Sequence, residues 1–372
     1  MRIGIVNDSP VATELLRRLI HTSEEHQTAW IARDGAEGVK LCESDLPELV
    51  LMDLIMPYMD GAEATRRIMS RTPCPILIVT ATVAGNAAKV FAALSAGAID
   101  AIHTPTVIAS QKTGQALLLK IKSIERQISG LEQVAGDIVP KVEGTANKLI
   151  LIGASAGGPA ALVEVLSALP EDFSPAVVIV QHIGQLFAPG LVEWLNEYSR
   201  LPVRLAGEGD SVSSGNVLVA GSEDHLVFKN SHELGYTADP KENPYRPSVD
   251  VFFGSAARFF RGPIAAVLLT GMGRDGARGL KILRDAGYHT ISQDQSTSAV
   301  YGMPKAAAAL NAASEILPLQ KIGPRLRELF VSGAKATHSK RRGSGSVIGL
   351  PARTNLALIS RESDERGAMG GK

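Results

Sequence analysis

Lys148-Leu149-Ile150-Leu151-Ile152-Gly153-Ala154-Ser155-Ala156-Gly157-Gly158-Pro159 is the stretch on which the fold turns. Four consecutive aliphatic residues read as a strand buried on both faces of a parallel sheet. The strand runs into a glycine-rich turn, and Ala160–Leu169 continues with a helical pattern. Gly153 and Gly157 permit a sharp turn, and small neighbours leave Ser155 standing above the sheet. The helix behind it offers unpaired N–H groups to a developing oxyanion. Three readings compete: a dinucleotide fingerprint, a glycine turn without chemistry, and a nucleophile elbow. The first is weakened because Ser155 stands where G-x-G-x-x-G needs glycine, and no acid closes a strand about 20 residues on.

The rest of this half weighs on the choice. Its further apolar runs are Ala176–Val180, Val217–Ala220 and Ala265–Leu269. His182 follows the first of these, and Asp275 lies just past the last, in Thr270-Gly271-Met272-Gly273-Arg274-Asp275-Gly276-Ala277. A serine hydroxyl is inert at neutral pH unless a base takes its proton; a histidine does so, and an acid fixes its tautomer. The chain order Ser155, His182, Asp275 differs from the Ser, Asp, His order of α/β-hydrolases and disfavours that fold.

Upstream, Ile3–Val6, Leu49–Met52 and Ile76–Val79 read as buried parallel strands, and Val11–Ile20 as a covering helix. Parallel α/β sheets place functional groups at the carboxyl ends of their strands. Asp8, Asp53 and Thr80 all fall there. Two converging carboxylates call for a hard cation such as Mg²⁺, and a carboxylate beside it can take up a phosphoryl group. In Met52-Asp53-Leu54-Ile55-Met56-Pro57-Tyr58-Met59-Asp60-Gly61, Pro57 and Asp60-Gly61 form a turn just beyond the acid. Residues 114–134 carry a helical stripe of Leu117, Ile121, Ile124, Ile128 and Leu131, after which Gly136, Pro140 and Gly144 break the pattern.

Composition sets the bounds. The chain has 372 residues, enough for two or three domains, with 45% hydrophobic and 20% charged residues. With 38 Lys/Arg against 38 Asp/Glu, it lacks the basic excess of a general nucleic-acid binder. The two cysteines, Cys42 and Cys74, fit a reducing cytosol rather than a disulfide framework, and both read as inert. The N-terminus does not read as a signal peptide and no apolar run is long enough to span a bilayer, so a cytoplasmic protein is expected. Residues 331–372 carry a net charge of +5 and seven glycines, and read as a disordered basic tail. His21, His26 and His103 show no metal-ligand spacing. His225 reads as structural, and Arg246 as a surface ion pair or a contact to an acidic helix.

Taken together, the motifs carry two resemblances. Residues 1–122 resemble the receiver domain of bacterial response regulators. The resemblance implies Asp53 as phosphoacceptor, Asp8, Asp53 and the Ile55 carbonyl as Mg²⁺ ligands, and Thr80 as the switch hydroxyl. Three positions depart from it: Asn7 replaces the first acid, Thr104 the usual lysine before Pro105, and Ala101 the aromatic switch residue. Residues 147–330 resemble the catalytic domain of the chemotaxis protein-glutamate methylesterase. The matching pieces include Arg246-Pro247-Ser248-Val249-Asp250 and Val300-Tyr301-Gly302-Met303-Pro304-Lys305-Ala306, besides the two motifs above. This implies a triad of Ser155, His182 and Asp275, with the Met272 backbone N–H as oxyanion donor and no metal for the esterase. The Ile-Val-Asn-Asp start and the Thr104-Pro105 ending look closest to the subgroup serving Wsp-type surface-sensing pathways.

The expected architecture is therefore α/β throughout: a flavodoxin-like (βα)5 receiver over 1–122, a linker over 123–146, and a doubly wound parallel-sheet methylesterase domain over 147–330. The expected reaction is hydrolysis of γ-glutamyl methyl esters on a methyl-accepting chemoreceptor-like protein, with glutamine deamidation as a second activity and a histidine kinase as phosphodonor. No nucleic-acid partner and no membrane insertion are expected, and the chain is expected to act as a monomer. A signalling adaptor with an inactive esterase-like domain is the competing reading. A DNA-binding regulator fails for want of a basic recognition helix.

Overall fold

Aliphatic runs become strands and amphipathic stretches become the helices that cover them, as the periodicity predicts. The computed structural model describes residues 1–81, 87–105, 110–129 and 148–331. The first half contains β1 (Arg2–Val6), α1 (Pro10–His21), β2 (Gln27–Ala32), α2 (Gly35–Ser44), β3 (Leu49–Met52), α3 (Gly61–Arg71), β4 (Ile76–Thr80), α4 (Ala87–Ser95), β5 (Asp100–His103) and α5 (Ser110–Ser129). Its sheet is parallel with strand order β2-β1-β3-β4-β5. Every residue of β3 and β4 is buried, as strands covered by helices on both faces must be.

The second half begins with β6 (Leu149–Ala154), α6 (Gly158–Ser167), β7 (Ala176–Gln181), α7 (Ala188–Tyr198), β8 (Val203–Leu205) and β9 (Val217–Val219). A hairpin of β10 (His225–Phe228) and β11 (Leu234–Thr237) follows, then α8 (Val249–Phe259), β12 (Ile264–Leu268), α9 (Ala277–Asp285), β13 (His289–Gln293), α10 (Met303–Ala309), β14 (Glu315–Leu317) and α11 (Leu319–Val331). The sheet order is β14-β13-β12-β6-β7-β9-β8, all parallel; only the separate β10–β11 hairpin is antiparallel. From β6 the chain winds first toward β7, then returns to lay β12 on the other side. The crevice at the carboxyl ends of β6 and β12 is the switch point where such sheets bind ligands.

The expected strands are present with ends shifted by a residue or two. The linker expectation needs correction: α5 continues through Ser129, so residues 123–129 are still helical. Leu117, Ile121 and Ile124 hold that helix against the first sheet, as the stripe read over 114–134 predicts. Val331 is the last residue of α11, so it belongs to a helix and not to the tail. Residues 130–147 and the tail beyond 331 lie outside the described residues. β2, β5, β8, β13, β14 and the β10–β11 hairpin went unforeseen, because their short runs mix polar and apolar residues. Among the described residues, no helix is long and apolar enough to cross a membrane.

The two halves share one apolar cluster. Val90, Phe91 and Leu94 of α4 pack with Ala161, Leu162, Leu166, Leu191 and Leu195 of α6 and α7. Phe91 stacks on Trp194 with ring centroids 5.6 Å apart.

Candidate active site

Register brings the expected residues together. In β12, Leu268 pairs with Gly153 of β6, and Ala154 pairs with Gln181 of β7. Ser155, His182 and the loop 269–275 therefore leave three adjacent strands at the same end. The Ser155 N–H donates to the Thr270 carbonyl (3.1 Å), and the His182 N–H donates to the Ala154 carbonyl (3.0 Å). The Gln181 side-chain amide donates to the carbonyls of both Ser155 (2.9 Å) and His182 (3.1 Å), tying the two turns. Gly157 caps α6 at φ 77°, and a Cβ there would meet the Ala299 Cβ at 2.5 Å. Pro159, in the first turn of α6, presets the helical backbone.

Asp275 is the most heavily bonded group of the site. It is 1% exposed and pairs with His182 Nε2 at 2.8 Å through Oδ2. Its Oδ2 also accepts the Val249 N–H (2.6 Å), and its Oδ1 accepts the Asp250 N–H (3.0 Å) and the Ser248 hydroxyl (2.8 Å). These donors stand at the start of α8, whose positive end favours an anion. Burial pushes the Asp275 carboxyl up, but His182, the Asp250 N–H and the Ser248 hydroxyl outweigh it and hold it below the ordinary value.

The structure thus joins His182 to Asp275. Ser155 leaves the neighbouring strand and is 2% exposed, but among the described residues its hydroxyl makes no hydrogen bond to the imidazole. The Met272 N–H has no acceptor among the described residues. Ser248 is a contact of the candidate acid that sequence reasoning did not assign. Its place as the N-cap of α8 is legible, since its hydroxyl accepts the Val251 N–H (3.3 Å); its bond to an acid 27 residues downstream is not. His225 is buried, accepts the Ser248 N–H at Nδ1 (3.1 Å) and faces the Pro240 carbonyl from Nε2 (3.2 Å). Burial lowers its pKa, which suits a neutral structural imidazole.

The first half lies over this end of the second. The Leu94 carbonyl of α4 accepts the Gly157 N–H (2.9 Å), two residues past Ser155. Asp100 is 3% exposed; it pairs with Lys120 and accepts the Gly184 N–H (3.2 Å). On α5, the Ser123 hydroxyl (2.5 Å) and the Gln127 amide (3.3 Å) both donate to the Pro244 carbonyl. Between the halves lies a cavity of about 410 Å³, lined by Asp100, His103, Lys120 and Gln127 on one side and His182, Phe187, Tyr245 and Arg246 on the other.

Asp8, Asp53 and Thr80 stand at the carboxyl ends of the adjacent strands β1, β3 and β4. Asp8 is exposed, Asp53 half-buried and Thr80 buried. Burial raises the Asp53 carboxyl above its usual value; the Leu54 and Ile55 amides pull it back, and the Asp8 charge adds to the rise. An acid pair with uncompensated charge, followed two residues on by the Ile55 carbonyl, is a hard-oxygen donor set that fits Mg²⁺. Asn7 cannot add a charge: its Oδ1 accepts the Ser9 N–H (2.9 Å) at the start of α1. Elsewhere, Glu25, His26 and Glu125 bring ligand atoms within 4.8 Å of one another, a grouping that spacing along the chain did not disclose. The Met1 ammonium stands 3.3 Å from His26 Nδ1 and Lys122 4.0 Å from Glu25, so the chain's own cations already serve that cluster.

Residues 150–326 match the CheB methylesterase family, and residues 3–110 match the response regulator receiver domain. A protein-glutamate methylesterase/protein-glutamine glutaminase of Mesorhizobium japonicum is 56% identical over 88% of this chain and 98% of its own length. One of the same name from Pseudomonas aeruginosa, numbered 3, is 51% identical over 89% of this chain and 100% of its own. The crystal structure of the Thermotoga maritima CheB methylesterase catalytic domain is 34% identical, covering 50% of this chain and all of that one, with a TM-score of 0.48. Identity above half, sustained across both halves, decides the matter: the chain belongs to the family of receiver-bearing protein-glutamate methylesterases.

Proposed function

We propose that this chain hydrolyses γ-glutamyl methyl esters on methyl-accepting chemoreceptor-like proteins and deamidates glutamines at the same kind of site. The observation that carries the reading is the His182–Asp275 pair, its acid buried, set beside the Ser155 turn at the switch point of the sheet. With Nε2 engaged by Asp275, Nδ1 is the basic nitrogen left for the serine. His182 takes the Ser155 proton as Oγ attacks the ester carbonyl. The Met272 N–H and the start of α6 stabilise the tetrahedral oxyanion. His182 returns the proton to departing methanol, and water then frees glutamate by the same steps in reverse order. The Ser155–His182 hydrogen bond forms as substrate enters, as such bonds often tighten only in the complex.

The receiver half takes its phosphoryl group from a histidine kinase at Asp53. Asp8, Asp53 and the Ile55 carbonyl would hold Mg²⁺, which supplies charge neutralisation there. Thr80, buried at the end of β4, reads the phosphoryl group out. Thr104 in the lysine position and Asn7 in the first acid position support a place in the Wsp-type surface-sensing subgroup. The two free cysteines, Cys42 and Cys74, suit a reducing compartment and support a cytoplasmic site of action. Each chain carries both halves and acts as a monomer. Methanol release from methylated receptor membranes tests the reading: Ser155→Ala should lower turnover by about 10⁴-fold or more with the fold intact. Near-normal release in that variant would refute it.

A further inference from the structure

Tyr245 has no part in the chemistry above, yet it touches two of the pieces that carry it. Its ring lies on the His182 imidazole, with centroids 4.8 Å apart and planes 21° from parallel. Its hydroxyl accepts the Arg274 N–H at 3.3 Å. That hydroxyl is also packed on Gly273, where an added Cβ would lie 2.0 Å from it and φ is 78°. Gly273 and Arg274 separate Met272 from Asp275. One buried side chain, 1% exposed, therefore touches both the proposed base and the loop that holds the proposed acid and oxyanion donor, its ring being the part that lies on the base.

The bracing is needed because of how His182 is held. Among the described residues, Asp275 is the one hydrogen-bond partner of the ring, and a single bond at Nε2 does not by itself set the rotation of the imidazole. A flat aromatic face against the ring removes that freedom. It also faces the positive charge that the imidazole gains on taking the serine proton, an arrangement favourable to a cation. Tyr245 itself is fixed by its chain neighbours. The Pro244 carbonyl is gripped from α5, and Arg246 pairs with Asp224 at 2.9 Å.

We infer that Tyr245 is the positioning residue of the site, holding the His182 imidazole in the orientation from which it serves Ser155. The inference rests on the reading of Ser155 as nucleophile, and the test separates the two. A fluorophosphonate ester labels an activated serine: the Ser155 Oγ–P bond forms, fluoride leaves, and His182 accepts the proton. In the full chain, Tyr245→Leu should lower the maximal labelling rate by about tenfold or more while leaving the probe's half-saturating concentration within about twofold, since a misaligned base costs rate rather than binding. Tyr245→Phe keeps the ring and should stay within about threefold of the parent rate.

A Tyr245→Leu chain labelled at the parent rate overturns the inference, as does Tyr245→Phe losing as much as Tyr245→Leu. No labelling of the parent chain overturns the nucleophile assignment and this inference with it. Should Tyr245→Leu fail to fold, the parent chain answers by NMR. The His182 ring protons, identified by their loss in His182→Gln, should be displaced upfield by the stacked ring, and resonances at their ordinary position would refute the stack.

Discussion

A carboxylate as deeply buried as Asp275 is tolerable only because every oxygen is engaged: two backbone N–H groups, the Ser248 hydroxyl and His182 all point at it. The consequence for pH follows from direction. The folded-state pKa lies below the unfolded one, so the stabilisation is complete above the ordinary carboxylate value near pH 4 and is lost as pH falls through the lower folded value. Asp275→Asn should remove this acid-sensitive contribution, a change readable in thermal unfolding between about pH 2 and 5. It also turns an amide toward groups that are themselves donors and frees His182 to take the wrong tautomer. Turnover should fall by about 10³-fold or more; a loss of less than tenfold would count against the proposed role.

At the scale of elements, α8 is the support on which the site is built. Ser248 caps the helix through the Val251 N–H and bonds Asp275 with the same oxygen. Ser248→Ala should cost about 1–2 kcal/mol, several degrees in the unfolding temperature of the second half, and should lower kcat more than it raises KM. The Ser155 turn, the strand ends and the N-cap of α8 are local features, and all are legible in residue order. The pairing of the α8 start with a loop beyond the next strand is not. Nothing in Arg246-Pro247-Ser248-Val249-Asp250 says that Asp275 will dock on it, because that contact exists only once β12 lies beside β6. The helix through Ser129 is of the other kind: the stripe of Leu117, Ile121 and Ile124 that keeps α5 whole is itself legible in residue order, and the linker expected over 123–146 overlapped it.

At the scale of the whole molecule, the receiver half is built into the region around Ser155 rather than tethered near it. Phe91 is 1% exposed and stacked on Trp194, in an apolar cluster common to both halves. Phe91→Ala should leave a cavity costing about 3–5 kcal/mol and loosen the docking. Basal methanol release should then rise at least threefold over the parent chain; an unchanged rate would mean that the docked half does not restrain turnover. Phosphorylation should act on the same contact. With Mg²⁺ and a small-molecule phosphodonor, turnover of the parent chain should rise, and both chelation and Asp53→Asn should remove the rise while leaving basal turnover in place.

Local chemistry determined much of this protein without tertiary information. Unbroken aliphatic runs must be buried on both sides, glycines and small residues must make the Ser155 turn, and acids at strand ends must gather at one edge of a parallel sheet. Charges and hydroxyls distant along the chain could be named as partners only through the family resemblance, which maps them onto the ends of separate strands. Tertiary structure alone decided the rest: the α8 cradle around Asp275, the Tyr245 ring on His182, and the grip of α4 and α5 on the loops beside Ser155. The physical reason is that these are contacts between surfaces, set by how two sheets and their helices pack in space, and no periodicity within either partner records them.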